Sequence, residues 1–221
     1  GDTIIIDGLT GTYDNPNAGM GKTVTLDKTS VNITGTNADK YDVSIPATAT
    51  GSILAVPATC TAPGDVTPSL TYDASQSQEL VTAGSANGGT MVYSLDGINF
   101  TPAIPKGKDA RDYKIYYKAQ GDQNHTDSEV KTKDVTIDRQ TVTPQIELSP
   151  PSGQYDGTVQ QPSVTVRDGA NNVIPESEYK VTYVTDGGKN WKDQGTYTVK
   201  VENITGGNYI ITETTAPFTI S

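Results

Sequence analysis

One histidine, one cysteine and scattered carboxylates are all this chain offers for bond-making chemistry. A nucleophile activated by imidazole, whether Ser-His-Asp or Cys-His, would have to recruit His125. Yet a matching stretch 84 residues on places Tyr209 where His125 stands. That marks a ring which packs at a strand or turn, not a base. Cys60 lies in "PATCTAP" without a second cysteine, so neither an internal disulfide nor a zinc site can be built on it alone. A half-buried, unreactive thiol is the expectation. Asp122, Asn124, Asp127 and Glu129 gather oxygen ligands in "GDQNHTDSE", and Asp186, Asn190 and Asp193 do so in "DGGKNWKDQG". Calcium favours such oxygens. Neither stretch follows the EF-hand spacing, with glycine at its sixth position and an acid at its twelfth. Asn and Asp also build turns, and turns are expected here. No cofactor is called for, calcium being the one metal the residues suit. No catalytic constellation is legible, and an enzyme is not expected.

Trp191 is the sole tryptophan and follows a glycine-rich loop. Two readings are open for it. It could be partly buried at a domain edge. Alternatively, with Tyr183 nearby, it could stack a sugar ring or a partner's side chain, making Trp191 and Tyr183 the candidate ligand-binding pair. The net charge of −10 and pI of about 4.4 argue against nucleic acid and anionic lipid as partners. No apolar run is long enough for a signal or membrane helix, so no membrane insertion is expected in this segment. The chain begins at Gly1, and a piece of a longer protein is expected.

The elements that must carry these residues read as strands. Hydrophobic residues are 33% of the chain and charged residues 19%, which fits neither a rich single core nor a charge-driven disordered chain. Threonine, valine, glycine, tyrosine and proline are prominent, a mix that favours strands and tight turns. No window of ten or more residues carries an i, i+3, i+4, i+7 apolar stripe. An all-β fold is predicted.

The organisation is repetitive. "DARDYKIYYKAQGDQNH" and "DQGTYTVKVENITGGNY" align without gaps, 84 residues apart. Asp109 meets Asp193, Tyr113 meets Tyr197, Ile115 meets Val199, Asn124 meets Asn208 and His125 meets Tyr209. Two such anchors make a tandem repeat. The reading divides the chain at 1–57, 58–140 and 141–221, with a proline-bearing junction in "DRQTVTPQIELSPPSGQYDG". Within each later repeat, alternating runs such as "GTYTVKVE" put Tyr197, Val199 and Val201 on one face. Six or seven such short strands in about 80 residues describe a two-sheet sandwich.

Asp-x-Gly-x-Tyr-x-apolar, at Asp193, Gly195, Tyr197 and Val199, resembles the tyrosine-corner segment of immunoglobulin-like domains. There the tyrosine hydroxyl returns to upstream backbone. Asp109 and Tyr113 repeat the pattern, but Arg111 stands in place of the glycine. If that position needs positive φ, Arg111 is strained or the corner is built differently. The first segment resembles the latter half of the YDG-type repeats of bacterial surface proteins. Gly11, Thr12, Tyr13, Asn17, Ala18, Gly19, Gly21, Lys22, Thr23 and Val24 carry this likeness, followed by Gly35, Ala38 and Tyr41. Asn17-Ala18-Gly19 stands where Asp193-Gln194-Gly195 stands later, and Tyr41 where Tyr209 stands. The front half of that module, 1–57, is expected to be missing. The later repeats are similar to immunoglobulin-like modules strung along large secreted bacterial proteins. The resemblance implies tandem immunoglobulin-like β-sandwiches at the bacterial cell surface or outside the cell. Their role would be stalk, spacer or adhesion scaffold, with other domains of the same parent chain as partners. The alternative it leaves is a module binding glycan or a host protein through exposed aromatics and loops.

Overall fold

Alternation along the strands decides which side chains enter the interior. In the strand Gly195–Asn203, Tyr197, Val199 and Val201 are buried and the residues between them are not. In the strand Asp112–Gly121, Tyr113, Ile115, Tyr117 and Ala119 are buried in the same two-residue rhythm. The computed structural model describes residues 1–185, 187 and 190–221. Among them there is no α-helix; two short 3-10 turns, Ala38–Lys40 and Glu176–Glu178, interrupt an otherwise all-β chain. No helix of the described residues is long and apolar enough to cross a membrane.

The chain gathers into two compact units, and residues 58–140 contribute to both. The first unit comprises 1–63, 84–103 and 116–131. Its N-terminal part holds an antiparallel sheet in which Gly19–Asp27 lies between Thr10–Tyr13 and Thr48–Ile53. A ribbon pairs Ile5–Asp7 with Asn32–Thr34. None of residues 1–57 is buried: Ile5 is 47% exposed, Ile6 41% and Tyr41 48%. The interior of this unit comes from later residues. Met91, Val92, Tyr93, Tyr117 and Ala119 are buried where Gly89–Ser94 pairs antiparallel with 116–121, in a register of Gly89↔Gly121 through Ser94↔Tyr116.

The second unit comprises 64–83, 104–115 and 132–221. Gly195–Asn203 is the central strand of three, flanked by Tyr179–Val184 and Thr214–Ile220. Gln145–Ser149 pairs with Ser163–Arg167. Two apolar clusters result. One joins Val142, Val166, Ile174, Tyr179, Val201, Tyr209 and Ile211, and the other joins Trp191, Tyr197, Val199, Phe218 and Ile220.

The 84-residue offset reappears in the pairing. In the first unit Val56–Pro57 lies parallel to His125–Thr126, with His125 opposite Val56. In the second unit Gln140–Val142 lies parallel to Tyr209–Ile211, with Tyr209 opposite Gln140. Each is a linker strand laid beside the strand that follows the repeated asparagine.

Candidate functional site

The residues singled out for chemistry fall into three places: two tyrosine-held corners, an aromatic cluster and a set of acidic turns. At the first corner the Tyr113 hydroxyl donates to the Asp109 carbonyl at 2.9 Å. At the other the Tyr197 hydroxyl lies 2.7 Å from the Asp193 carbonyl and 3.2 Å from that of Asn190. Both tyrosines are buried. Gly195 has φ +150°, in the region that favours glycine. Arg111, in the equivalent place, takes no positive φ, so the two corners differ locally. Its guanidinium carbon instead sits 4.5 Å from the Tyr113 ring centroid, a cation–π contact of about 0.5–1 kcal/mol at an exposed site.

Trp191 is 3% exposed, more deeply buried than the partly exposed ring expected from its loop. Tyr197 stacks on it at 4.6 Å between centroids and Phe218 lies at 5.9 Å, both nearly parallel. Tyr183 meets it edge-on at 5.2 Å, and the Tyr183 hydroxyl donates to the Pro162 carbonyl at 2.6 Å. Burial raises the Tyr183 pKa above the ordinary phenol value. The structure therefore brings the two candidate ligand-binding residues together, but as parts of a core and not as a stacking surface.

The acidic side chains are occupied by their own turns. Asp122 accepts from the Asn124 N–H at 2.8 Å and pairs with His125 Nδ1 at 2.7 Å. Asp127 accepts from Gly121 N–H at 2.9 Å and meets the Lys118 ammonium at 2.5 Å. Glu129 is exposed. In the other stretch the Asn190 carbonyl accepts from Asp193 N–H, and Asp186 lies outside the described residues. Among the described residues, no three His, Cys, Asp or Glu side chains gather to hold a metal ion. Cys60 is half-buried on the strand Thr59–Thr61, its Sγ 3.8 Å from Ser128 Oγ.

Several turn carboxylates are held below their ordinary pKa by hydrogen bonds. For Asp96 the largest cause is the Ser94 hydroxyl, followed by the N–H groups of Asn99 and Ile98. For Asp168 it is the Asn172 side chain. A carboxyl whose folded pKa is depressed contributes stability that is complete above its unfolded value, about 4, and is lost as pH falls through the folded value. The urea midpoint is therefore expected to drop between about pH 4 and pH 2. The Asp96→Asn variant should lose less over that window than the natural chain. Equal losses in the two proteins would refute the assignment.

Asparagines that sequence reasoning left as the end of a pattern join distant parts of each unit. In the first unit Asn124 Oδ1 accepts from the Ala18 N–H at 2.8 Å, and its carboxamide nitrogen lies 3.3 Å from Asn17 Oδ1. Its backbone carbonyl accepts from Val56 N–H at 3.1 Å. In the second unit Asn208 Oδ1 accepts from the Ala110 N–H at 2.8 Å, and its carbonyl accepts from Gln140 N–H at 3.0 Å. Glu178 holds Asn208 in place, accepting from its backbone N–H at 2.6 Å and its carboxamide at 3.2 Å. Arg139 was also missed. Its guanidinium serves Asn203 Oδ1, the Ile204 carbonyl and the Tyr209 carbonyl, which ties down the 203–209 loop. The only signal in the sequence was an asparagine written twice before a ring.

Residues 1–51 match the model of the YDG domain. No curated protein matches the chain.

Proposed function

We propose that this chain is a non-catalytic segment of a larger bacterial cell-surface or secreted protein. In this reading its later repeats are immunoglobulin-like β-sandwiches, and its role is that of a stalk or adhesion scaffold. The observation that carries the reading is the recurrence of one joining device. A tyrosine-held corner, an asparagine and a parallel linker strand occur together, and recur 84 residues away where the chain repeats. Such repetition suits modules set in series, each meeting its neighbour in the same way. The YDG match over 1–51 supports a repetitive architecture at the N-terminal end. The partners in this reading are other domains of the same parent chain.

Small-angle scattering of the full chain tests it. Modules in series should give a radius of gyration well above the roughly 17 Å of a compact globule of this length. A value at that compact limit would overturn the stalk.

A further inference from the structure

The two corner tyrosines each grip one side of a peptide group, and at the first corner the other side of that peptide is used for joining. In a trans peptide the carbonyl and the N–H of one unit point in opposite directions. Tyr113 takes the Asp109 carbonyl, and the N–H of the same unit, on Ala110, goes to Asn208. The tyrosine thus aims a backbone donor outward, and a carboxamide from far along the chain receives it. Ala18 holds the matching place in the first segment, and Asn124 receives its N–H in the same way. Each asparagine also accepts, through its own carbonyl, from the start of the linker strand, Val56 or Gln140. One residue grips both the corner and the chain leading out of it.

The third corner repeats the donor side of this arrangement. Tyr197 takes the Asp193 carbonyl, which turns the Gln194 N–H outward. Ala18 and Ala110 are half-buried beneath their asparagines, whereas Gln194 is exposed. Among the described residues its N–H meets no acceptor. We infer that the Asp193-Gln194-Gly195 corner is a docking surface for a further repeat of this kind, whose asparagine accepts from Gln194. A second copy of the chain does not fit as the donor of that asparagine. Asn124 and Asn208 are both engaged, and the position before Tyr41 holds Lys40, whose side chain has no acceptor. The inference rests on the stalk reading and adds to it the rule by which one module meets the next.

The test extends the full chain beyond Ser221 with a second copy of residues 138–221 and follows amide exchange by NMR. Docking should slow exchange at Gln194 about tenfold or more, because an amide in a stable hydrogen bond exchanges only on opening. Asn208→Ala in the appended copy should restore the fast rate. Unchanged exchange at Gln194, with the appended copy as protected as the original third repeat, overturns the proposal. In the unextended chain, Asn208→Ala and Tyr113→Phe should each speed exchange at Ala110 by about tenfold, and Asn208→Asp, which keeps an acceptor, should not. Tyr113 does not touch the Ala110 N–H, so a Tyr113→Phe variant with unaltered exchange there would also sink it. Scattering separates the two readings. An extended chain that lengthens without protecting Gln194 leaves the stalk and removes the docking corner; one that does not lengthen removes the stalk.

Discussion

Trp191→Ala is expected to destabilise the chain by about 3–5 kcal/mol, the range for deleting a large aromatic from a packed interior. The indole is 3% exposed, with Tyr197 and Phe218 stacked nearly parallel to it and Tyr183 against its edge. Alanine would leave three rings facing a hole that the flanking strands, Tyr179–Val184, Gly195–Asn203 and Thr214–Ile220, are too firmly paired to close. Among the described residues the indole N–H has no acceptor, so the loss is one of packing and not of hydrogen bonding. Trp191→Phe should therefore recover more than half of the stability, since it restores most of the apolar volume. Urea unfolding followed by far-ultraviolet circular dichroism measures both without relying on the tryptophan itself. A cost below about 1 kcal/mol for the alanine variant would place the ring at the surface and revive a stacking role.

The misjudged depth of Trp191 has a physical cause. Alternation reports the facing of a side chain only while the chain is extended, and Trp191 lies between the strands Tyr179–Val184 and Gly195–Asn203. Within those strands the pattern was readable: the alternating run from Tyr197 to Val201 is buried where the sequence placed it. The all-β fold was legible for the same reason. What was not legible depends on distance along the chain. Ala18 and Asn124 are 106 residues apart, and nothing local in either announces the other. Nor does composition tell that residues 58–140 divide between two compact units. Arg111 is a middle case. Its departure from glycine was visible, but its answer, a guanidinium laid on Tyr113 without positive φ, required coordinates.

The same limit separates two glycines of the first segment, and their contrast yields the other large effect. Gly21 and Gly35 carry equal weight in the likeness to YDG repeats, and both have positive φ. At Gly21, φ is +63° and a Cβ would meet nothing within 4 Å. Asparagine tolerates that left-handed region, so Gly21→Asn should cost less than about 1 kcal/mol. At Gly35, φ is +132° and a Cβ would fall 1.9 Å from the Thr3 carbonyl oxygen. No side-chain rotation relieves an overlap with backbone. Relief would have to come from moving Thr3 away, next to the ribbon that pairs Ile5–Asp7 with Asn32–Thr34. Backbone strain alone reaches about 3 kcal/mol in such regions, and the overlap adds to it. No residue of 1–57 is buried, so little apolar packing is available to hold the ribbon against that strain. Gly35→Ala is therefore expected to open the ribbon locally, raising amide exchange at Ile6 and Ile33 about a hundredfold while residues 195–203 keep their protection. Comparable exchange in the Gly35→Ala and Gly21→Asn variants would mean that Thr3 yields without cost and that the close approach is not what requires the glycine.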